Sequence, residues 1–525
     1  MVKYTLHKRL LLSCMALTAV SCAESASESP SSSGEPVENP GSAGVSQPGA
    51  ADFGQFRAVL EAGEIPGPGI LDDLGFFAEH KLDYPKADCE GSVCLHPLVG
   101  VMGNFLTGVD CTLIQLGMNS PLDPESLKRP ALHVVLVVDT SGSMEGAPLA
   151  YLKDGLVRML DSLGDDDRIS LVRYGTDAEV LLEHQGLDDR IALESAFTLL
   201  DASGRTNIFA GLFEGYALAE AHAADPDVET RVVLMSDGVM NEGLVDLPAL
   251  IGLAKRHART GIGLTTIGAG REFDPELMRG LAEAGAGNFY FLDDPAAMVE
   301  VFSQEVDTFL VPIALDVTIE TIVSDGYRLG ATYGTNGFTA NSHGGTIELP
   351  VLFLAGRRSA SEPITGGRRG GGGAILYELM RDRDAEGEAW SEVGTVRFSY
   401  TDPRSGQRIS EEAQLDVPES AWVIPDGGWF SDFTVEKAFV MLNLYAAFEL
   451  AVELAWDSDL GSALGTLKTV RASVSDWLIE NDDADIADDM RYVDMFIEAI
   501  EAEAARSGVP VVRSPAPQPR YWFYD

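Results

Sequence analysis

A chain of 525 residues is longer than one hydrophobic core fills, so it divides into several domains. Its 45% hydrophobic and 23% charged residues match ordinary ordered protein, which confines disorder to segments. The balance of 82 acidic against 37 basic residues, a formal net charge of -45, repels phosphate backbones and anionic headgroups and argues against nucleic acid as a partner.

Lys3, His7, Lys8 and Arg9 form a basic start, and 10–20 is an apolar stretch of signal-peptide length, too short to cross a membrane. Ala19-Val20-Ser21-Cys22 follows and resembles the lipobox of bacterial lipoproteins, although Ala19 stands where leucine is usual. The resemblance implies removal of 1–21 and a lipid on Cys22. It also implies an envelope location, at the outer membrane because residue 23 is alanine rather than aspartate, with periplasmic or extracellular release if the anchor is absent. Leu11-Leu12-Ser13-Cys14 fits the same pattern but would leave almost no apolar region before it.

The segment 22–51 is rich in Ser, Glu, Pro and Gly and nearly free of large apolar residues, which predicts a disordered tether. Cys89, Cys94 and Cys111 then remain in an oxidising compartment, where three thiols cannot all pair within one chain. Cys89 and Cys94 are close enough in sequence to close a small loop, and Cys111 is an alternative partner for either. Only His96 lies near them, too few ligands for a zinc site.

Across 52–130 the pattern predicts helices at 53–62 and 70–80 and a strand at 107–118, an N-terminal α+β region. Across 131–311 strand and helix signals alternate, which predicts a doubly wound, Rossmann-like α/β domain. Its strands are expected at 133–138, 168–174, 180–183, 231–236, 262–267 and 288–292. Its helices are expected at 149–163, 191–200, 208–222, 247–258, 275–284 and 295–310. At the carboxyl end of the first strand, where open α/β sheets bind ligands, stands Asp139-Thr140-Ser141-Gly142-Ser143. Gly204-Arg205-Thr206-Asn207 and Ser236-Asp237-Gly238 occupy comparable ends. Carboxylates and hydroxyls make a hard oxygen set suited to magnesium or manganese.

The Asp-x-Ser-x-Ser run with the later threonine and Asp-Gly resembles the metal-ion-dependent adhesion site of von Willebrand factor type A domains. The resemblance implies Mg2+, or Mn2+ or Ca2+, bound by Asp139, Ser141, Ser143, Thr206 and Asp237, with one position left for a carboxylate of a partner protein. The segments 56–63, 71–84 and 116–124 are similar to the region attached to the bacterial YfbK-type members of that family. No nucleophile elbow, metalloprotease motif or phosphate loop is present, so neither an enzyme nor a small-molecule substrate is expected.

From 312 to 420 alternation dominates and predicts a β-sandwich-like domain, with 366–373 as a glycine-rich loop. From 428 to 507 the chain reads as a helical domain. Its apolar run 435–456 contains Glu436, Lys437, Asn443, Glu449 and Glu453, which suit a core helix rather than a membrane span. A Pro-rich aromatic tail covers 508–525. The functional expectation is a lipid-anchored adhesion or scaffold module, touching membrane only through its anchor. The alternative is a regulatory or assembly subunit of an envelope transporter or ATPase.

Overall fold

The computed structural model describes residues 43–49, 53–123, 130–223, 228–237, 241–243, 246–269, 274–292, 311–355, 374–382, 387–425 and 427–508. Cys22, the leader, the helix expected at 295–310, the run 366–373 and the aromatic tail lie outside them.

The described chain opens on β1 (Ala43–Ser46), which corrects the expectation of a tether reaching residue 51. This strand lies between two others and is antiparallel to both, Gly44 facing Asn119 on one side and Ala355 on the other. Ala43 and Val45 are buried. A strand of four small residues carries too little apolar mass to stand out in a Ser- and Gly-rich background, yet enough to fill a narrow slot in a sheet. Helices α1 (Gly54–Glu61) and α2 (Asp73–Glu79) follow, the second capped by the Asp72 carboxylate, which accepts from Gly75 N at 2.7 Å. Strands β2 (Cys94–Gly103) and β3 (Asp110–Ser120) then form an antiparallel pair. Cys89 and Cys94 are joined by a disulfide, and Cys111 is a buried free thiol.

The α/β domain comes next, with β4 (Ala131–Asp139), β5 (Arg168–Tyr174), β6 (Ala178–Gly186), β7 (Val228–Ser236), β8 (Ile262–Ala269) and β9 (Phe289–Leu292) in the order β6-β5-β4-β7-β8-β9. All neighbours are parallel except β6, which joins antiparallel because only residues 175–177 separate it from β5, too few for a crossover. Side chains alternate across β4. Leu136 and Val138 face α3 (Ala147–Met159) and α4 (Arg190–Thr198), whereas Val135 and Val137 face α5 (Ile208–His222), α6 (Leu247–Ala258) and α7 (Pro275–Ala284). A strand covered on both faces is apolar throughout, which is why 133–138 shows no polar alternation.

After this domain come β10 (Pro312–Val323), β11 (Tyr327–Tyr333), β12 (Phe338–Asn341), β13 (Gly344–Ala355), β14 (Ile375–Arg381), β15 (Glu392–Thr401), β16 (Arg408–Asp416) and β17 (Trp429–Phe430). They join β1, β2 and β3 in one eleven-stranded sheet, ordered β11-β14-β3-β1-β13-β10-β15-β16 along its main path. One core runs along it, with Val99, Ile114 and Leu116 from before the α/β domain meeting Ile319, Leu349 and Phe398 from after it. The α/β domain is therefore inserted between β3 and β10 of a sheet built from both flanks.

Three helices close the described chain: α8 (Phe433–Trp456), α9 (Leu460–Glu480) and α10 (Ala484–Ser507). Asp432, Asp459 and Asp483 cap their N-termini, so part of the acidity serves helix starts. Helix α8 is long and apolar enough to cross a membrane by length and composition, but Val435, Phe439, Leu444 and Phe448 are buried against protein. Phe53 and Phe56 of the N-terminal segment stack at 4.9 Å, and Phe56 meets Phe448 edge-on at 5.1 Å. Thus α1 and α2 belong to the helical core. Lys437 reaches Asp483 at 2.7 Å and Asp485 at 3.1 Å and donates to the Lys81 carbonyl at 2.9 Å, while His80 pairs with Asp489 at 2.7 Å.

Candidate metal centre

Strand β4 ends at Asp139 and β7 at Ser236, and the register pairing Val138 with Met235 sets these two residues side by side. Ser236 Oγ accordingly donates to Asp139 Oδ2 at 2.6 Å, and the amide of Ser141 donates to Asp139 Oδ1 at 2.8 Å. Asp139 is fully buried. Burial, the foremost influence, pushes its carboxyl pKa up, against the hydrogen bonds from Ser236 and Ser141.

The turn after Asp139 brings the hydroxyls together. Ser141 Oγ lies 3.0 Å from Ser143 Oγ, which in turn donates to Asp237 Oδ1 at 2.9 Å. Four of the five expected residues are thereby joined in one hydrogen-bonded chain. Thr206 is buried on the adjoining loop, which is tied to the turn by Gly142 N to Gly204 O at 3.1 Å and Ser203 N to Thr140 O at 2.6 Å. Gly204 has φ of +83°, and a Cβ there would stand 2.9 Å from Thr176 Oγ1, so the bend that delivers Thr206 requires glycine.

Three supporting groups were not singled out from sequence. Ser236 orients Asp139; its signal was its place at the end of β7, one residue before Asp237. Asn241 accepts from Thr206 N at 3.0 Å through its side chain and donates its own amide to Thr206 O at 3.3 Å, and nothing in the sequence announces it. The Tyr174 carbonyl accepts from both N and Oγ1 of Thr140, at 2.7 and 2.9 Å, pinning the turn to β5.

The assembled donors are carboxylate and hydroxyl oxygens only, the chemistry that suits hard divalent cations. Among the described residues no group of three or more His, Cys, Asp or Glu side chains is placed to hold a metal. A set that depends on Ser and Thr hydroxyls is of another kind.

The family model for the von Willebrand factor type A domain matches residues 133–304. The chain carries a von Willebrand factor type A domain. Uncharacterized protein YfbK of Escherichia coli is 30% identical over 197 residues, covering 37% of this chain and 34% of that protein, so the chain spans about a third of that relative. Uncharacterized protein sll0103 of Synechocystis is 28% identical over 353 residues, 65% of this chain and 78% of the relative. Inter-alpha-trypsin inhibitor heavy chain H2 of Sus scrofa is 25% identical over 195 residues, 35% of this chain and 21% of the relative. Among solved structures, the von Willebrand factor type A protein from Catenulispora acidiphila aligns with TM-score 0.47 and 15% identity, over 74% of this chain and 90% of that one. The type A domain places Asp139, Ser141, Ser143 and Asp237 at the carboxyl ends of β4 and β7, the position the sequence motifs indicated.

Proposed function

We propose that the chain is a cell-envelope lipoprotein, anchored through Cys22, whose type A domain binds Mg2+, or Mn2+ or Ca2+, and through it a carboxylate of a protein partner. Domains of this family typically mediate interactions rather than catalysis and often hold a divalent metal. The observation that carries the reading is the linked set Asp139, Ser141, Ser143 and Asp237, with Thr206 on the loop stitched to it. A buried carboxylate needs compensating charge, and a divalent cation supplies it with oxygen donors already gathered. Ser143 is exposed, so a partner can approach from solvent.

Calorimetric titration of the full chain with Mg2+ and Mn2+, alongside Asp237→Ala and Ser141→Ala, tests the cation. Weakened binding in folded variants is expected; affinity equal to the parent's defeats the assignment. Capture of envelope proteins with and without chelator tests the partner, whose retention should need the cation. For the anchor, Cys22→Ser should release the protein from membranes.

A further inference from the structure

At the opposite end of β4 from Asp139, three of the eight histidines meet. His133 of β4, His184 of β6 and His222, the last residue of α5, have ring centroids 4.7, 5.3 and 3.9 Å apart. His184 and His222 stack with their planes 9° apart, and His133 stands edge-on to both. His133 Nδ1, His184 Nδ1 and His222 Nε2 are buried with no hydrogen-bond partner. Buried polar atoms left so are uncommon.

The backbone goes out of its way to make this cluster. The register between β5 and β6 shifts from Ile169 facing Gln185 to Leu171 facing Leu182, a bulge at Glu183 and His184. His184 also adopts φ of +47°, unusual for a residue with a Cβ. Ser170 fixes the arrangement, its Oγ 2.9 Å from His133 Nε2 and accepting the amide of His184 at 2.9 Å. Stacked rings direct their in-plane lone pairs parallel, so His184 and His222 cannot share one metal ion as they stand.

Protons remain as the ligand. We propose that His133, His184 and His222 form a proton-operated latch that holds the C-terminal end of α5 against β4 and β6 at neutral pH and releases it on acidification. His222 sits where the carbonyl end of a helix favours a cation, with Glu183 Oε1 3.9 Å from its Nε2. Charging both stacked rings would set like charges face to face 3.9 Å apart, which drives the rings apart. Burial, then His222 of α5 and Arg168 of β5, disfavour charge on His184, against the pull of Glu183 of β6. Burial, then His184 and His222, push His133 down to about 3, so the closed cluster keeps His133 neutral. The linkage sign follows. The unfolded or opened segment binds protons below about pH 6.5 that the closed latch refuses, so closure is fully favoured above that pH and weakens as pH falls. Helix α5 is capped at its other end by Asn207, next to Thr206, so the released element reaches the candidate metal centre.

Hydrogen exchange of the full chain at pH 7.5 and 5.0, corrected for intrinsic rates, tests the latch in α5 and β6. Each extra proton taken up raises the opening equilibrium up to about tenfold per pH unit. The parent's last turn of α5 should therefore open at least about tenfold more at pH 5.0, and His184→Gln/His222→Gln should show a clearly smaller rise, with buried His133 supplying what remains. Should the double variant not fold, His222→Gln alone carries the test, with a reduced rise expected. An equal rise in parent and variant overturns the proposal. So does Zn2+ that raises the melting temperature of the parent but not of the double variant, which would make the trio a metal site.

Discussion

Replacing Lys437 by methionine removes the charge at the centre of the buried network while keeping the length of the side chain. Lys437 is 3% exposed, and its partners Asp483 and Asp485 are 8% and 11% exposed. Breaking a buried pair by deleting one partner costs about 3–5 kcal/mol, because the remaining charge is stranded. Both carboxylates keep other donors here: Asp483 accepts from the amides of Asp485 and Ile486, each at 3.1 Å, and Asp485 from the amide of Lys81 at 3.0 Å. The cost of Lys437→Met should therefore lie near the lower end, about 3 kcal/mol. Urea unfolding followed by circular dichroism, with hydrogen exchange in α10, measures it at pH 7. Lys437→Met/Asp483→Asn/Asp485→Asn strands no charge and keeps an N-cap side chain, so most of the loss should return. Burial acts to raise the Asp485 carboxyl pKa, but Lys437, His80 and the Lys81 amide together hold it below the ordinary value. That contribution is present in full above the ordinary carboxylate pKa and fades as pH falls through the folded value, so the deficit of the single variant should shrink in acid. A single variant as stable as the parent, or a triple variant no better than the single, would refute the reasoning.

Three further outcomes are expected. Ser236→Ala should weaken Mg2+ binding about 10–100-fold with the fold kept, because it removes the hydroxyl that aims Asp139 rather than a ligand; calorimetry decides, and unchanged affinity rejects that role. Gly215→Ala would place a Cβ 2.5 Å from Val137 Cγ2 and should cost about 1–3 kcal/mol, whereas Gly252→Ala, in open space on α6, should stabilise by about 0.5–1 kcal/mol; thermal melts rank the pair. Burial holds the Glu229 carboxyl up to about 7 against the pull of Arg231. The folded state thus keeps a proton that the unfolded chain gives up, and stability falls as pH rises from about 4.5 to 7. Glu229→Gln should melt higher than the parent at pH 8, and the gap should close below about pH 4.5 in the same melts.

The difference between what the chain announces and what it conceals follows the range of the interactions. Helices α5, α6 and α7 carry local signals, an apolar period with Asn207, Pro248 or Asp274-Pro275 at the start, and their limits coincide with the expected ones. The same holds for β5, where one continuous apolar pattern suffices. The metal-centre candidates were legible because a turn, a glycine bend and a strand end each place one oxygen-bearing motif, and the doubly wound topology brings those ends to one edge. Ser236 and Asn241 act on neighbours far away in sequence, through register and loop contact, and such partners leave no periodic trace. The sheet shared by both flanks was hidden for the same reason. Pairing of β14 with β3, Leu376 facing Gln115 across the whole α/β domain, is specified only by matching faces of distant strands. Strand β1 is the limiting case: four small residues gain order only from the slot between β3 and β13, so their structure belongs to the sheet and not to their own composition. The histidine latch belongs to this class too, since β4, β6 and α5 each supply one ring and only the folded domain brings the three together.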